Sequence, residues 1–216
     1  KEKKAHKEKI MIRLYYLFAA IAAAALSIPA LAGGNTICFE AESPHTVTSP
    51  LGRAHAADNT ASAPLRRIED ASADSYLGVP QGAGKPPKVN GRATFVFPVQ
   101  KEGRYFLWAR VWWLDGCGNS LGMHLDDNPA FTFGQDGTYQ RWHWFKAPGN
   151  LQQLKLSPGL HTLTISNRED GAYIDQLLLT RHERYVPVGI EDCTVPAEEP
   201  LPHPATGREK VAHSGQ

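Results

Sequence analysis

Charge of one sign is scarce in this chain, whose 23 Lys and Arg stand against 22 Asp and Glu for a formal net of +1. Residues 33 to 216 alone carry 17 basic and 20 acidic side chains, a net of −3. Binding to a phosphate backbone needs a concentrated basic face, so this balance argues against a nucleic-acid partner. Support for catalysis is thin too. The chain has no His-Glu-x-x-His, and His124, His143, His161 and His182 stand singly, as structural or surface histidines do. "GAGKPPK", around Lys85, lacks the Ser or Thr and the helix of a phosphate-binding loop. Cysteine is limited to Cys38, Cys117 and Cys193, at spacings that exclude a Cys-x-x-Cys metal or redox motif.

Long hydrophobic runs are also absent. The strongest, "LYYLFAAIAAAALSI", falls short of the roughly 20 apolar residues of a membrane span and is rich in alanine. It follows the basic "KEKKAHKEKIMIR" and precedes "PALA", so residues 1–32 read as an export signal with an upstream basic segment, cleaved after Ala32, and Met11 is a candidate initiator. The expected product is exported, secreted or periplasmic, with no stable membrane span. In an oxidising compartment Cys38 and Cys193 are a plausible bridge if the chain ends meet, which leaves Cys117, inside "DGCGNS", as the free thiol. Residues 193–216 carry four prolines without apolar periodicity and read as a flexible tail or linker.

Between these ends, 33–192 is the size of one domain. No amphipathic helix of three turns is evident, and alternation with a period of two dominates. "TICFEAE" sets Ile37, Phe39 and Ala41 against Cys38, Glu40 and Glu42, while "RATFVFPV" sets Ala93, Phe95 and Phe97 against Thr94 and Val96. "RYFLWARVWWL" is apolar on both faces, as a central strand is. "SLGMHLD", "RWHWFKA", "LQQLKL", "LHTLTIS" and "AYIDQLLLT" are further strands, separated by turn chemistry in "KEG", "DGCGN", "DDNP", "GQDG", "SPG" and "REDG". The pattern predicts an all-β chain, a β-sandwich or jelly roll. Segment 43–91, rich in Ala, Ser, Gly and Pro, is expected to hold long loops and at most two short strands, "SYLGVP" being the best candidate.

Three carboxylates crowd "SNREDGAYIDQLLLT". Glu169 and Asp170 are candidates for the acid pair of a glycosidase, but neighbours on a turn diverge rather than face one another, and a solvated turn is the simpler reading. Asp175 lies in the last apolar strand, where an unpaired charge is costly. Glu40 and Glu42 project from one face of the first strand and repel unless a cation lies between them. If the first and last strands are neighbours, Glu40, Glu42 and Asp175 either share one Ca²⁺ or are neutralised by Arg or Lys. Most of the aromatics must be core, because a sandwich strand buries one face. Tyr76, Trp142 and Trp113, near loops, are the candidates for stacking on a sugar.

"CFEAES", "GRYFLWARVWW", "RWHWFKA" and "LSPGLHTLTISNREDGAYIDQLLLT", in that order over residues 36–186, resemble the calcium-binding β-sandwich carbohydrate-binding modules of families 6 and 35, galactose-binding-like jelly rolls. The resemblance implies a structural Ca²⁺ held by Glu40, Glu42 and Asp175, and a glycan or polysaccharide partner in a cleft among loops at one end. Trp142 matches the aromatic after the turn and Tyr76 its partner. Tyr173 stands where many relatives have Asn before "ID", and Asn119, Arg168, Glu169 or Asp170 would supply polar contacts. The resulting expectation is a secreted, non-catalytic carbohydrate-binding module with ligand residues Tyr76, Trp142, Asn119, Asp170 and Tyr173. The alternatives are a carbohydrate-active enzyme and a structural or adhesive surface domain without a sugar site.

Overall fold

A computed structural model describes residues 35–55, 67–88, 90–148 and 154–193. The expected export signal, 1–32, and the proline-rich tail beyond Cys193 lie outside the described residues. Strands β1 (Thr36–Glu40), β3 (Gly52–His55), β4 (Ser75–Val79), β6 (Gly103–Trp113), β9 (His143–Lys146), β10 (Leu154–Leu156) and β12 (Ala172–Thr180) form a seven-stranded sheet. A five-stranded sheet follows the order β2 (Thr46–Thr48), β5 (Arg92–Val99), β11 (Gly159–Asn167), β7 (Ser120–Leu125), β8 (Phe131–Gly134). Every pairing is antiparallel. The one helical element among the described residues is a short 3-10 turn, Ser72–Asp74. The all-β sandwich expected from the alternation is the observed fold.

Side-chain alternation builds the core. Ala93, Phe95, Phe97 and Val99 of β5 pack with Leu163 and Ile165 of β11 against Tyr105, Leu107, Ala109, Val111 and Trp113 of β6 and Ala172, Ile174, Leu177 and Leu179 of β12. Burying this apolar area is the main favourable term in folding. β6 is central: β12 pairs it along one edge, and β9 and β10 share the other. Its outward residues are buried as well, because chain segments cross the outer face of the seven-stranded sheet. Residues 68–71 cover Tyr76, Trp112 and Tyr173. Residues 185–193 cover Trp108 and Leu178, and the Cys38–Cys193 disulfide ties that crossing to β1. Cys117 is free and exposed.

Among its described residues, segment 43–91 holds three strands rather than at most two. β2 is a three-residue edge strand on β5, and β3, "GRAH", has little intrinsic strand preference and is held by its ladder to β4. β8 is likewise defined by its partner β7. Conversely "RWHWFKA" yields only His143–Lys146, so Trp142 precedes the strand.

Candidate functional site

β1 and β12 are antiparallel neighbours, with Glu40 opposite Gln176 and the Ala41 amide donating to the Asp175 carbonyl at 2.8 Å. A β-bulge between Ile174 and Gln176 shifts the register of β12 against β6. Ile174 and Leu177 therefore both face the core, and the two residues between them both face outward. This places Asp175 beside Glu40 and Glu42, with one carboxylate oxygen of each within 4.8 Å of the others. Arg110, on β6, donates to Asp175 Oδ2, and the Ser72 amide donates to Oδ1 at 2.9 Å. Glu40 Oε1 accepts from Ser72 Oγ at 3.0 Å and from Gln176 Nε2 at 2.9 Å.

The arginine partner is real, yet it leaves the cluster in excess of negative charge. Glu40 Oε2 and Glu42 Oε2 are buried and accept no hydrogen bond among the described residues. Buried oxygens of this kind are costly unless something satisfies them. Burial first, and then the carboxylates of Glu40 and Asp175, push the Glu42 carboxyl up to about 8. Burial pushes Asp175 up to about 6, although the Arg110 hydrogen bond and charge oppose it. The loop above is strained: Asp70, Ala73 and Asp74 all have positive φ, at 62°, 48° and 55°. Non-glycine residues hold that conformation only where their surroundings compel it. Here the turn delivers Ser72 to the carboxylates. Hard oxygen donors with two unsatisfied members suit a calcium-sized cation.

The loop end of the sandwich gathers the β6–β7, β8–β9 and β11–β12 connections and the 80–91 loop. Glu169 Oε2 accepts from Ser120 Oγ at 2.6 Å and the Asn119 amide at 3.2 Å, while Arg168 pairs with Glu169 Oε1 at 2.6 Å. Asp170 Oδ2 accepts from the Gly82 and Gly84 amides at 3.0 and 3.2 Å. The two acids thus tie their turn to different neighbouring loops. They do not face one another across a cleft.

Among the expected ligand residues, Tyr76 and Tyr173 are fully buried, in edge-to-face contact with centroids 5.9 Å apart. Tyr76 accepts from the Ile68 amide at 2.9 Å. Neither ring can present a face to a sugar, because residues 68–71 lie over them. Trp113 is buried in the main core. Trp142 is half-buried: Arg110 lies over its ring at 5.2 Å, and its Nε1 donates to the Glu69 carbonyl at 2.8 Å. Asn119 is buried, and its Oδ1 lacks a partner among the described residues.

The aromatic that reaches solvent here is Tyr139, 41% exposed in the β8–β9 loop. Its hydroxyl lies 3.5 Å from where a Cβ on Gly116 would sit, so the β8–β9 and β6–β7 loops meet at this ring. In the same loop Asp136 pairs with His143 at 2.6 Å. The sequence carried one signal for it: Tyr139 lies within the turn-rich "GQDGTYQ", outside any alternating run.

No family model matches this chain, and no curated protein matches it in sequence. Among solved structures it is similar to the GH26-CBM35 β-(1,4)-mannanase of Podospora anserina, at 18% identity and a TM-score of 0.50, over 72% of this chain and 29% of that one. It also matches a family 35 carbohydrate-binding module from Clostridium thermocellum, at 12% identity and a TM-score of 0.47, over 67% of this chain and 96% of the module. A third match is the C-terminal CBM6 of a marine laminarinase from Zobellia galactanivorans, at 17% identity and a TM-score of 0.42, over 68% and 99% of the two chains. This chain spans under a third of the mannanase. At these identities the likeness to the mannanase shows the fold alone, the antiparallel two-sheet sandwich.

Proposed function

We propose that this chain is an exported, secreted or periplasmic, non-catalytic carbohydrate-binding module whose first and last strands are joined by a structural calcium ion. The observation that carries the glycan reading is Tyr139, an exposed aromatic on a loop end with the Asp136–His143 pair beside it in sequence. An aromatic face and fixed polar groups are what a sugar ring requires: the ring stacks on its C–H face and its hydroxyls meet the polar atoms. Trp142, half-buried, would border this surface. Tyr76 and Tyr173 are left out of it because they are core. The non-catalytic reading is supported by Glu169 and Asp170, each committed to a different loop.

Glu40, Glu42 and Asp175 would hold the ion. Bound there, calcium supplies the positive charge that two unsatisfied glutamate oxygens require. The chain's own share is the geometry: β1 and the bulged β12 bring the acids together, Arg110 and Ser72 fix Asp175, and Gln176 fixes Glu40.

A glycan array followed by affinity gels with the full chain tests the binding reading. Tyr139→Ala is expected to weaken retention on the bound polysaccharide roughly tenfold, the effect of losing an anchor worth about 1.4 kcal/mol. Retention of Tyr139→Ala equal to that of the parent, or no glycan bound at all, would refute the loop-end site.

A further inference from the structure

Gln176 is fully buried on the outward face of β12, and a buried primary amide has two donor hydrogens and an acceptor oxygen to satisfy. Toward the acids, its Nε2 donates to Glu40 Oε1 at 2.9 Å. Toward the 185–193 crossing, Nε2 donates to the Glu191 carbonyl at 2.9 Å and Oε1 accepts from the Glu191 amide at 2.9 Å. One side chain thus engages both backbone groups of Glu191 and holds a carboxylate of the acidic cluster. Ser72 Oγ and Cys193 Sγ each lie 3.3 Å from the same Nε2.

The crossing is built to keep Glu191 in place. Its carboxylate folds back on its own loop, accepting from the Tyr185 hydroxyl at 2.8 Å and from the Val188 amide at 3.1 Å. Tyr185 packs on the Trp108 cluster, whereas Val186, Val188 and Ile190 are exposed. Little apolar burial offsets the entropy of ordering this segment, so the Cys38–Cys193 bridge carries much of its anchoring. Residues two apart on a strand share a face, so Cys38 and Glu40 point the same way from β1, roughly 7 Å apart. Opposite them on β12 stand Leu178 and Gln176. The disulfide and the acids are neighbours on one surface, and Gln176 connects them.

We propose that calcium affinity at Glu40, Glu42 and Asp175 is regulated by the redox state of Cys38–Cys193, with Gln176 and Glu191 as the positioning residues between the two. The proposal rests on the calcium reading above and adds a regulator to it. Cys193 is only half-buried, which leaves its sulfur open to a small dithiol. One thiolate of the dithiol attacks Cys193 Sγ, and the Cys38 sulfur leaves and takes a proton. The second thiol of the dithiol then closes on the first and releases Cys193 as its thiol. Two electrons and two protons pass to the protein, and the dithiol ends as a cyclic disulfide. The crossing is then free to leave. Without its two bonds to Glu191 the Gln176 amide can turn and is opened to water, and Glu40 loses the donor that fixes it beside Glu42 and Asp175. Linkage makes the effect reciprocal: the factor that reduction takes from calcium affinity, calcium takes from the reduction equilibrium.

The test is calorimetric titration of the full chain with calcium chloride, oxidised and after dithiothreitol, with near-ultraviolet circular dichroism to check that each sample is folded. Calcium is expected to bind the oxidised parent, and to bind at least tenfold more weakly after reduction, in Cys193→Ser and in Gln176→Leu, which keeps the bridge. Conversely, saturating calcium should lower the reduction potential of the bridge in the parent by about 30 mV for each tenfold, and leave it unmoved in Asp175→Asn. A disulfide with a merely structural role would change melting temperature but not the calcium affinity of the folded chain. No calcium bound by the oxidised parent would overturn the calcium reading and this proposal together. Equal affinity of the oxidised and reduced chains would overturn this proposal alone. If reduction and Cys193→Ser unfold the protein, Gln176→Leu decides: affinity equal to that of the parent overturns the proposal, and a tenfold loss supports it.

Discussion

Across the β4–β12 ladder Tyr173 stands opposite Gly78, and its ring fills the space a Cβ at 78 would need. Tyr173 is thus accommodated by a glycine on the neighbouring strand, and its ring packs within the protein instead of reaching a ligand. Gly78→Ala is expected to lower unfolding free energy by about 1–3 kcal/mol, the usual cost of overpacking, in urea denaturation. Glu42 supports a second experiment at this scale. Its carboxyl is raised to about 8 from 4.5, so its contribution to stability is full below pH 4.5 and is lost as pH rises through 8. Asp175, raised from 3.8 to about 6, acts in the same direction over a lower window. In EDTA the parent is expected to melt at a higher temperature at pH 5 than at pH 8.5, and Glu42→Gln to flatten that difference. A parent and variant with identical pH profiles would remove Glu42 from the account.

At the scale of elements, β12 decides most of the site. Its sequence reads as one uninterrupted strand, and only the bulge after Ile174 turns Asp175 and Gln176 to the same side. A one-residue slip of this kind leaves no trace in apolar spacing, because all nine residues of the strand are buried. The 185–193 crossing is the second such element. Trp144 Nε1 donates to the Gly189 carbonyl at 2.9 Å, Gln176 Nε2 donates to the Glu191 carbonyl at 2.9 Å, and the Cys38–Cys193 bridge closes a loop of 155 residues. Loop-closure entropy on that separation amounts to up to about 5 kcal/mol. Cys193→Ser is expected to lower the guanidinium midpoint accordingly and to expose the Trp108 face, read as increased tryptophan accessibility to a quencher. An unchanged midpoint would show that packing alone holds the crossing.

For the molecule as a whole, the proposed ion couples chain ends that are far apart in sequence. A ligand bound only by the native state stabilises it by about 2.7 kcal/mol at a concentration a hundred times its Kd. For a domain of this size that corresponds to roughly 5–10 °C in melting temperature. Adding calcium to EDTA-treated protein is expected to raise the melting temperature by that order, and Asp175→Asn to abolish the rise. Equal melting temperatures with calcium and with EDTA would dismiss the ion.

What the sequence determined by itself was local: which residues alternate, where turns interrupt them, and hence two antiparallel sheets packed through Phe95, Leu107, Ile165 and Leu177. Alternation reports which side chains oppose one another across a strand, and turn residues report where strands stop, so fold class and most strands were legible. Weak strands such as "GRAH" were not, because their ladder to β4, rather than their own preference, makes them strands. Tertiary structure decided what lies over the outer face of the seven-stranded sheet. Residues 68–71 and 185–193 cross it without periodicity of their own; the first turn Tyr76 and Tyr173 from candidate ligand platforms into core, and the second bury Trp108 and Leu178. Exposure is a property of what passes over a residue, which is why Tyr139, left uncovered in a turn, emerged only from the folded chain.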